Sequence, residues 1–239
     1  MNYPSLNHKN YIESVYRFCV EHEFSMILKG SLAKGVATKY SDIDLIISGN
    51  ITRTEVDELI TIYDKPIMTN FTENPKGILV LAYPDNVSVD LDIRETVEQE
   101  DLLDGKVLLK YDDNYILSYK PIIRKVITSD YIPNRPTWYK TLRLLHKGVL
   151  KYLSNKTESA YNFLAEIKEN LDALNINNLK FNGNFEDDIQ GIFNEFCKRF
   201  DVDSEIKVLF KNLFKEFSGG IHVKHNIFYK MFISITVIN

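Results

Sequence analysis

Two aspartates, Asp42 and Asp44, are separated by a single residue at the start of the apolar segment DIDLIIS. Side chains two residues apart in a β-strand leave the same face, so a strand here would hold both carboxylates side by side. Neighbouring carboxylates repel each other, and a divalent cation is the usual reason for a protein to keep them together. The pair therefore predicts a metal site.

A Gly-Ser pair, Gly30 and Ser31, lies eleven residues before the aspartates. Glycine lets the backbone approach an anionic group closely, and the hydroxyl and amide of serine can donate hydrogen bonds to phosphate oxygens. Lys34 follows in the same segment and adds positive charge. The combination predicts a phosphate group held beside the metal.

A second acidic segment, VSVDLDIR, follows about fifty residues downstream. Its alternation places apolar side chains on one face of a strand and Asp90 and Asp92 on the other. An apolar run over 77–83 and the residues PDN before the segment predict a hairpin. Either Asp90 or Asp92 can supply a third carboxylate beside the pair Asp42 and Asp44.

The predicted helices and strands around these residues fall into two regions of the chain. Apolar residues recur at helical spacing over 8–23 and 54–63, with short apolar runs between them that predict strands. From residue 137 onward the pattern is helical throughout. The sequence predicts an α+β protein, with a catalytic domain over 1–130 and a helical domain over 131–239.

Composition narrows the class of protein. The 239-residue chain has a formal net charge of -4, which argues against a nucleic-acid partner. Its two cysteines lie far apart and predict a reduced, cytoplasmic protein. The polar N-terminus predicts no signal peptide, and the apolar runs are too short to predict a membrane span. The oligomeric state stays open.

The motif set resembles a known superfamily. The pair GS, the segment SDIDLII and a later strand with an aspartate are similar to the nucleotidyltransferases that include DNA polymerase β. GSLAKGVATKYSDID resembles the corresponding loop of lincosamide enzymes, and VSVDLDIRETVEQEDLLDGKVLLKYDD resembles the third-carboxylate region of aminoglycoside 6-adenylyltransferases. LLHKGVLKYL is similar to a segment of their helical domain. The motif-bearing part covers roughly residues 25–115.

This resemblance implies a mixed sheet backed by helices and a metal-dependent transfer of AMP from ATP to a hydroxyl group. Asp42 and Asp44 would hold two Mg²⁺ ions that bridge the triphosphate, and Gly30 and Ser31 would contact its β- and γ-phosphates. The acceptor would be a small molecule, an aminoglycoside or lincosamide antibiotic, and pyrophosphate would leave.

The resemblance also bears on the third carboxylate and on a lysine. Val89-Asp90-Leu91 matches the aminoglycoside pattern and favours Asp90 as the third carboxylate, which would lie at the acceptor hydroxyl and either complete the second metal site or remove the proton. Asp92-Ile93-Arg94 matches polymerase-like members and keeps Asp92 as the alternative. Lys147, in the helical segment, is a candidate contact of the triphosphate.

Two other functions fit the same motifs. One is a toxin–antitoxin-type nucleotidyltransferase that modifies a protein or tRNA, although a polynucleotide acceptor calls for a basic groove that the net charge does not indicate. The other is a nucleotide-binding module without catalysis, which would have no need of three acidic positions.

Overall fold

The computed structural model describes residues 2–73, 76–111 and 135–217. Its N-terminal part alternates helices and strands along the chain. In order these are α1 (Leu6–Glu21), β1 (Ser25–Leu28), α2 (Gly30–Ala33), β2 (Ile43–Ser48), α3 (Arg53–Thr61), β3 (Met68–Glu73), β4 (Lys76–Ala82), β5 (Ser88–Arg94), α4 (Gln99–Asp104) and β6 (Lys106–Leu109). The predicted hairpin is confirmed as β4 and β5, which pair antiparallel.

The strands form one mixed six-stranded sheet in the order β3-β4-β5-β2-β1-β6. Only β2 and β5, among the described strands, pair in parallel, and their register places Asp44 opposite Asp90. These two strands lie next to each other in the sheet although a long stretch of chain separates them in sequence. The two acidic segments found in the sequence are therefore neighbours.

The two faces of the sheet differ in character. One face packs against α1 and α3 around buried apolar side chains that include Tyr11, Phe18 and Leu59. This burial supplies the main hydrophobic stabilisation of the sheet. The opposite face carries Asp44 and Asp90, as the alternation along β5 predicts. The carboxylates thus project from the face that α1 and α3 leave open.

Within the described residues, which end at residue 217, the helical pattern that begins at residue 137 is confirmed as four helices. They are α5 (Thr137–Leu153), α6 (Thr157–Ala173), α7 (Phe185–Arg199) and α8 (Ser204–Phe217). Their apolar faces enclose a second core. No helix in the described ranges is long and apolar enough to cross a membrane.

Helix α5 of the helical part contacts the N-terminal part at two places, strand β3 and the segment that precedes β2. The backbone N–H of Thr69 donates a hydrogen bond to the Tyr139 hydroxyl, at 3.1 Å. The hydroxyls of Thr38 and Ser154 lie 3.0 Å apart. The division at residue 130 stays a prediction, because the loop expected around it and the end of the predicted helical domain lie outside the described residues.

Candidate active site

Three carboxylates meet on the open face of the sheet. Asp42 immediately precedes β2, Asp44 lies within β2, and Asp90 lies opposite it in β5. One oxygen from each carboxylate lies within 4.8 Å of the other two. The sequence pattern predicts a strand over 41–48, whereas β2 begins at Ile43, yet both aspartates of the pair reach the cluster. These three residues are called the acidic triad below.

Asp92, the alternative third carboxylate, lies in a different environment. Its Oδ2 accepts a hydrogen bond from Arg94 Nη2 at 2.6 Å, and both side chains are buried. The same guanidinium pairs with Asp101 through Nη1, and Lys29 Nζ lies 3.3 Å from the other oxygen of Asp101. Arg94 therefore compensates the charge of Asp92, which is outside the triad.

Gly30 lies against Asp44 of the triad, and Ser31 follows it, both at the start of α2 instead of in an open loop. Gly30 has a φ of +63°, and a Cβ added there would lie 2.1 Å from Asp44 Oδ2. Only glycine fits this backbone conformation and this close approach. The Ser31 hydroxyl is buried and has no hydrogen-bond partner among the described residues, so it is available to a ligand.

Two lysines of α5 reach the triad. Lys147 Nζ lies 2.5 Å from Asp90 Oδ2 and 3.9 Å from Asp42 Oδ2. Lys151 Nζ lies 2.8 Å and 2.9 Å from the two oxygens of Asp42. Lys34, by contrast, is exposed just beyond α2, and the structure does not bring it into this cluster.

The sequence analysis identifies Lys147 as a candidate site residue but does not identify Lys151. The signal was present, because residues four apart on a helix lie on the same side, and Lys147 and Lys151 have that spacing. A lysine on a helix is usually solvated, however, and the sequence does not show that this side of α5 faces the sheet.

His8 of α1 supports the backbone beside Asp42. Its Nε2 lies 2.9 Å from the Ser41 carbonyl oxygen, and its Nδ1 lies 2.7 Å from the Ser5 hydroxyl. A carbonyl oxygen only accepts, so Nε2 carries a proton and Nδ1 accepts from the serine. Burial lowers the pKa of His8, which favours this neutral form. The contact holds the chain in place immediately before the triad.

The pKa values of the two aspartates of the pair are shifted in opposite directions. Burial, followed by repulsion from Asp42 and Asp90, raises the pKa of Asp44 from its ordinary value of 3.8 to about 7. Burial acts in the same direction on Asp42, but the nearby ammonium groups of Lys151 and Lys147 outweigh it and lower the pKa of Asp42. Without a cation between the carboxylates, the triad holds its third negative charge weakly.

The donor set fits a hard divalent cation such as Mg²⁺, which prefers carboxylate oxygens. Asp90 Oδ1 is buried and has no hydrogen-bond partner among the described residues. A cation bound by the triad would satisfy this oxygen and remove the repulsion that raises the pKa of Asp44. The same geometry places the Gly30 backbone beside Asp44 and therefore close to that cation.

Comparison with known proteins agrees with this geometry. The family model of the nucleotidyltransferase domain matches residues 13–150 of the sequence. This range is more than half of the chain and includes the whole triad and Lys147. Among curated proteins, none matches the chain.

Proposed function

Since the chain belongs to the nucleotidyltransferase-domain family, we propose that it is a Mg²⁺-dependent adenylyltransferase that moves AMP from ATP to a small molecule. The acceptor is a hydroxyl group of an aminoglycoside or lincosamide antibiotic, and pyrophosphate is released. Membership of the family makes the chain a nucleotidyltransferase. The resemblance of residues 25–115 to antibiotic enzymes supports the choice of ATP and of the acceptor.

The acidic triad carries the proposal. Three carboxylates with oxygens within 4.8 Å of one another are costly unless positive charge compensates them, and Gly30, at the start of α2, lies directly beside Asp44. We assign Asp42 and Asp44 to the metal and Gly30 and Ser31 to the β- and γ-phosphates. When bound, Mg²⁺ supplies Lewis-acid stabilisation of the attacking and leaving oxygens.

Asp90 is assigned to the acceptor. The acceptor oxygen forms a bond to the α-phosphorus of ATP while the bond from that phosphorus to the pyrophosphate oxygen breaks. The hydroxyl proton passes to the Asp90 carboxylate, which lies within the triad. Lys147 and Lys151 reach the triad from α5, so the helical part borders the site, and we assign the acceptor-binding surface to it.

ATP labelled on the α-phosphate tests this reaction with Mg²⁺ and an antibiotic panel. We expect the α-label on one antibiotic, and in a parallel reaction with ATP labelled on the γ-phosphate we expect that label in pyrophosphate. Asp44→Asn should lower the rate about 100-fold, since losing about 3 kcal/mol of metal-dependent stabilisation has that effect. Asp57→Asn, an exposed aspartate on α3, is the matched control and should retain the wild-type rate.

Three results contradict the antibiotic reaction in different ways. Label transferred to a macromolecule in a cell lysate, with none on the panel, indicates a toxin-type enzyme. Nucleotide binding without any turnover indicates a module that is not catalytic. Transfer that survives Asp44→Asn unchanged rejects the triad as the metal site.

A further inference from the structure

The ammonium groups of Lys147 and Lys151 contact two of the carboxylates that a metal ion would use, those of Asp90 and Asp42. Lys151 lies within hydrogen-bond distance of both oxygens of Asp42, and Lys147 contacts Asp90 Oδ2. The side chain of Lys147 is 11% exposed and that of Lys151 is 21% exposed, so water screens these contacts only in part. In this state the lysines compensate the charge of the acidic triad.

A divalent cation in this cluster would compete with both lysines for the carboxylates. Magnesium binds carboxylate oxygens at about 2.1 Å, which is closer than either ammonium group approaches Asp42. A cation there would face two positive charges at short range in a poorly screened site. The long, flexible stem of lysine allows each ammonium group to leave its carboxylate without a change in the helix.

We propose that Lys147 and Lys151 form an exchangeable pair of counter-ions that makes metal and nucleotide bind cooperatively. Without ligands the pair contacts the triad; when the metal binds, the lysines turn away from the carboxylates and contact the triphosphate. The inference rests on the proposed function for the identity of the two ligands.

Charge compensation explains why the two ligands would help each other. Metal alone competes with the lysines for the carboxylates and leaves positive charge in excess. Triphosphate alone meets three carboxylates and two lysines that are already paired. When both bind, the carboxylates pair with the metal and the lysines pair with the phosphates, so each charge has a partner. Cooperativity of this kind is reciprocal between the two ligands.

The binding of Mn²⁺ alone, measured by calorimetry or by electron paramagnetic resonance, tests the proposed exchange of counter-ions without any turnover. A non-hydrolysable ATP analogue should tighten Mn²⁺ binding to the wild-type protein about tenfold or more. Lys151→Met and Lys147→Met keep the apolar stem and remove the charge. Each should bind Mn²⁺ alone more tightly than the wild type, by about fivefold or more, and should bind the analogue more weakly.

Two controls separate charge from a general effect of substitution. Lys151→Arg keeps the positive charge and should retain the weak binding of Mn²⁺ alone. Lys168→Met removes a lysine from another aspartate, Asp188, in the helical part and should leave both affinities unchanged. Thermal unfolding with and without Mn²⁺ verifies that each variant is folded, and the upward shift of Tm with Mn²⁺ should be larger in Lys151→Met than in the wild type.

The exchange is overturned if Lys151→Met and Lys147→Met bind Mn²⁺ alone no more tightly than the wild type. It is also overturned if the ATP analogue does not tighten Mn²⁺ binding to the wild type. Failure of the proposed function gives a different result: Mn²⁺ and the analogue bind cooperatively, the lysine variants behave as described, and no nucleotide is transferred to any acceptor.

Discussion

Replacement of Gly30 by alanine tests whether the start of α2 sets the position of Asp44. The new Cβ would lie 2.1 Å from Asp44 Oδ2 and 3.0 Å from its Cγ, so the carboxylate must move by about 1 Å to reach an ordinary contact distance. A displacement of that size costs about 100-fold in rate when it affects a catalytic group. We therefore expect kcat/KM to fall about 100-fold and Mn²⁺ to bind more weakly.

The same substitution also strains the backbone. Gly30 has a φ of +63°, and alanine in the left-handed region costs about 1–2 kcal/mol, with about 1 kcal/mol more if Asp44 leaves its rotamer. Gly35 supplies a matched control, because its φ is +72° and a Cβ there would have no neighbour within 4 Å. Gly35→Ala should lose similar stability in urea unfolding and retain Mn²⁺ affinity and activity.

The pair of variants separates strain from displacement. If Gly30→Ala keeps wild-type Mn²⁺ affinity and activity, the close contact between Gly30 and Asp44 has no role in the site. If Gly35→Ala loses as much activity as Gly30→Ala, the loss comes from the backbone of this segment and the reasoning about Asp44 is refuted.

Three further predictions concern the charged residues. The pKa of Asp44 is about 7 in the folded protein, above its ordinary value of 3.8, so the stability present when this group is protonated is lost as the pH rises from about 4 to about 7. Asp44→Asn should therefore stabilise the metal-free protein at pH 8, by about 2–4 kcal/mol in urea unfolding, with no gain near pH 4. Arg94→Met leaves Asp92 and Asp101 buried without their shared guanidinium and should cost about 3 kcal/mol in the same assay; a cost under about 1 kcal/mol would contradict this. Asp90→Asn should abolish nucleotide transfer, whereas Asp92→Asn should lower stability and retain Mn²⁺ affinity; the reverse result would make Asp92 the third carboxylate.

Much of the fold follows from local patterns in the sequence. The alternation in VSVDLDIR predicts both faces of β5, and the helical spacing of Tyr11, Val15 and Phe18 predicts the buried side of α1. These patterns are local because each depends only on the period of one element. The Gly-Ser pair and the paired aspartates likewise lie close together in sequence, and their spacing already indicates a common site.

The remainder of the site depends on contacts across long stretches of chain. Asp90 and Asp92 share a face of β5, and only the register with β2 distinguishes them, since Asp44 lies opposite Asp90 and Ile46 lies opposite Asp92. Lys151 contacts a carboxylate 109 residues away in sequence. Spacing within a single element carries no information on such contacts, which arise from the packing of α5 against the sheet.

Crystals grown with Mn²⁺ and an ATP analogue that cannot be cleaved between the α- and β-phosphates test whether the acidic triad binds the metal. We expect anomalous scattering peaks about 2.1 Å from oxygens of Asp42 and Asp44, with the triphosphate against Gly30 and Ser31. A bound nucleotide without a manganese peak at the acidic triad, or with its phosphates away from α2, would show that the triad is not the metal site of a nucleotidyl transfer.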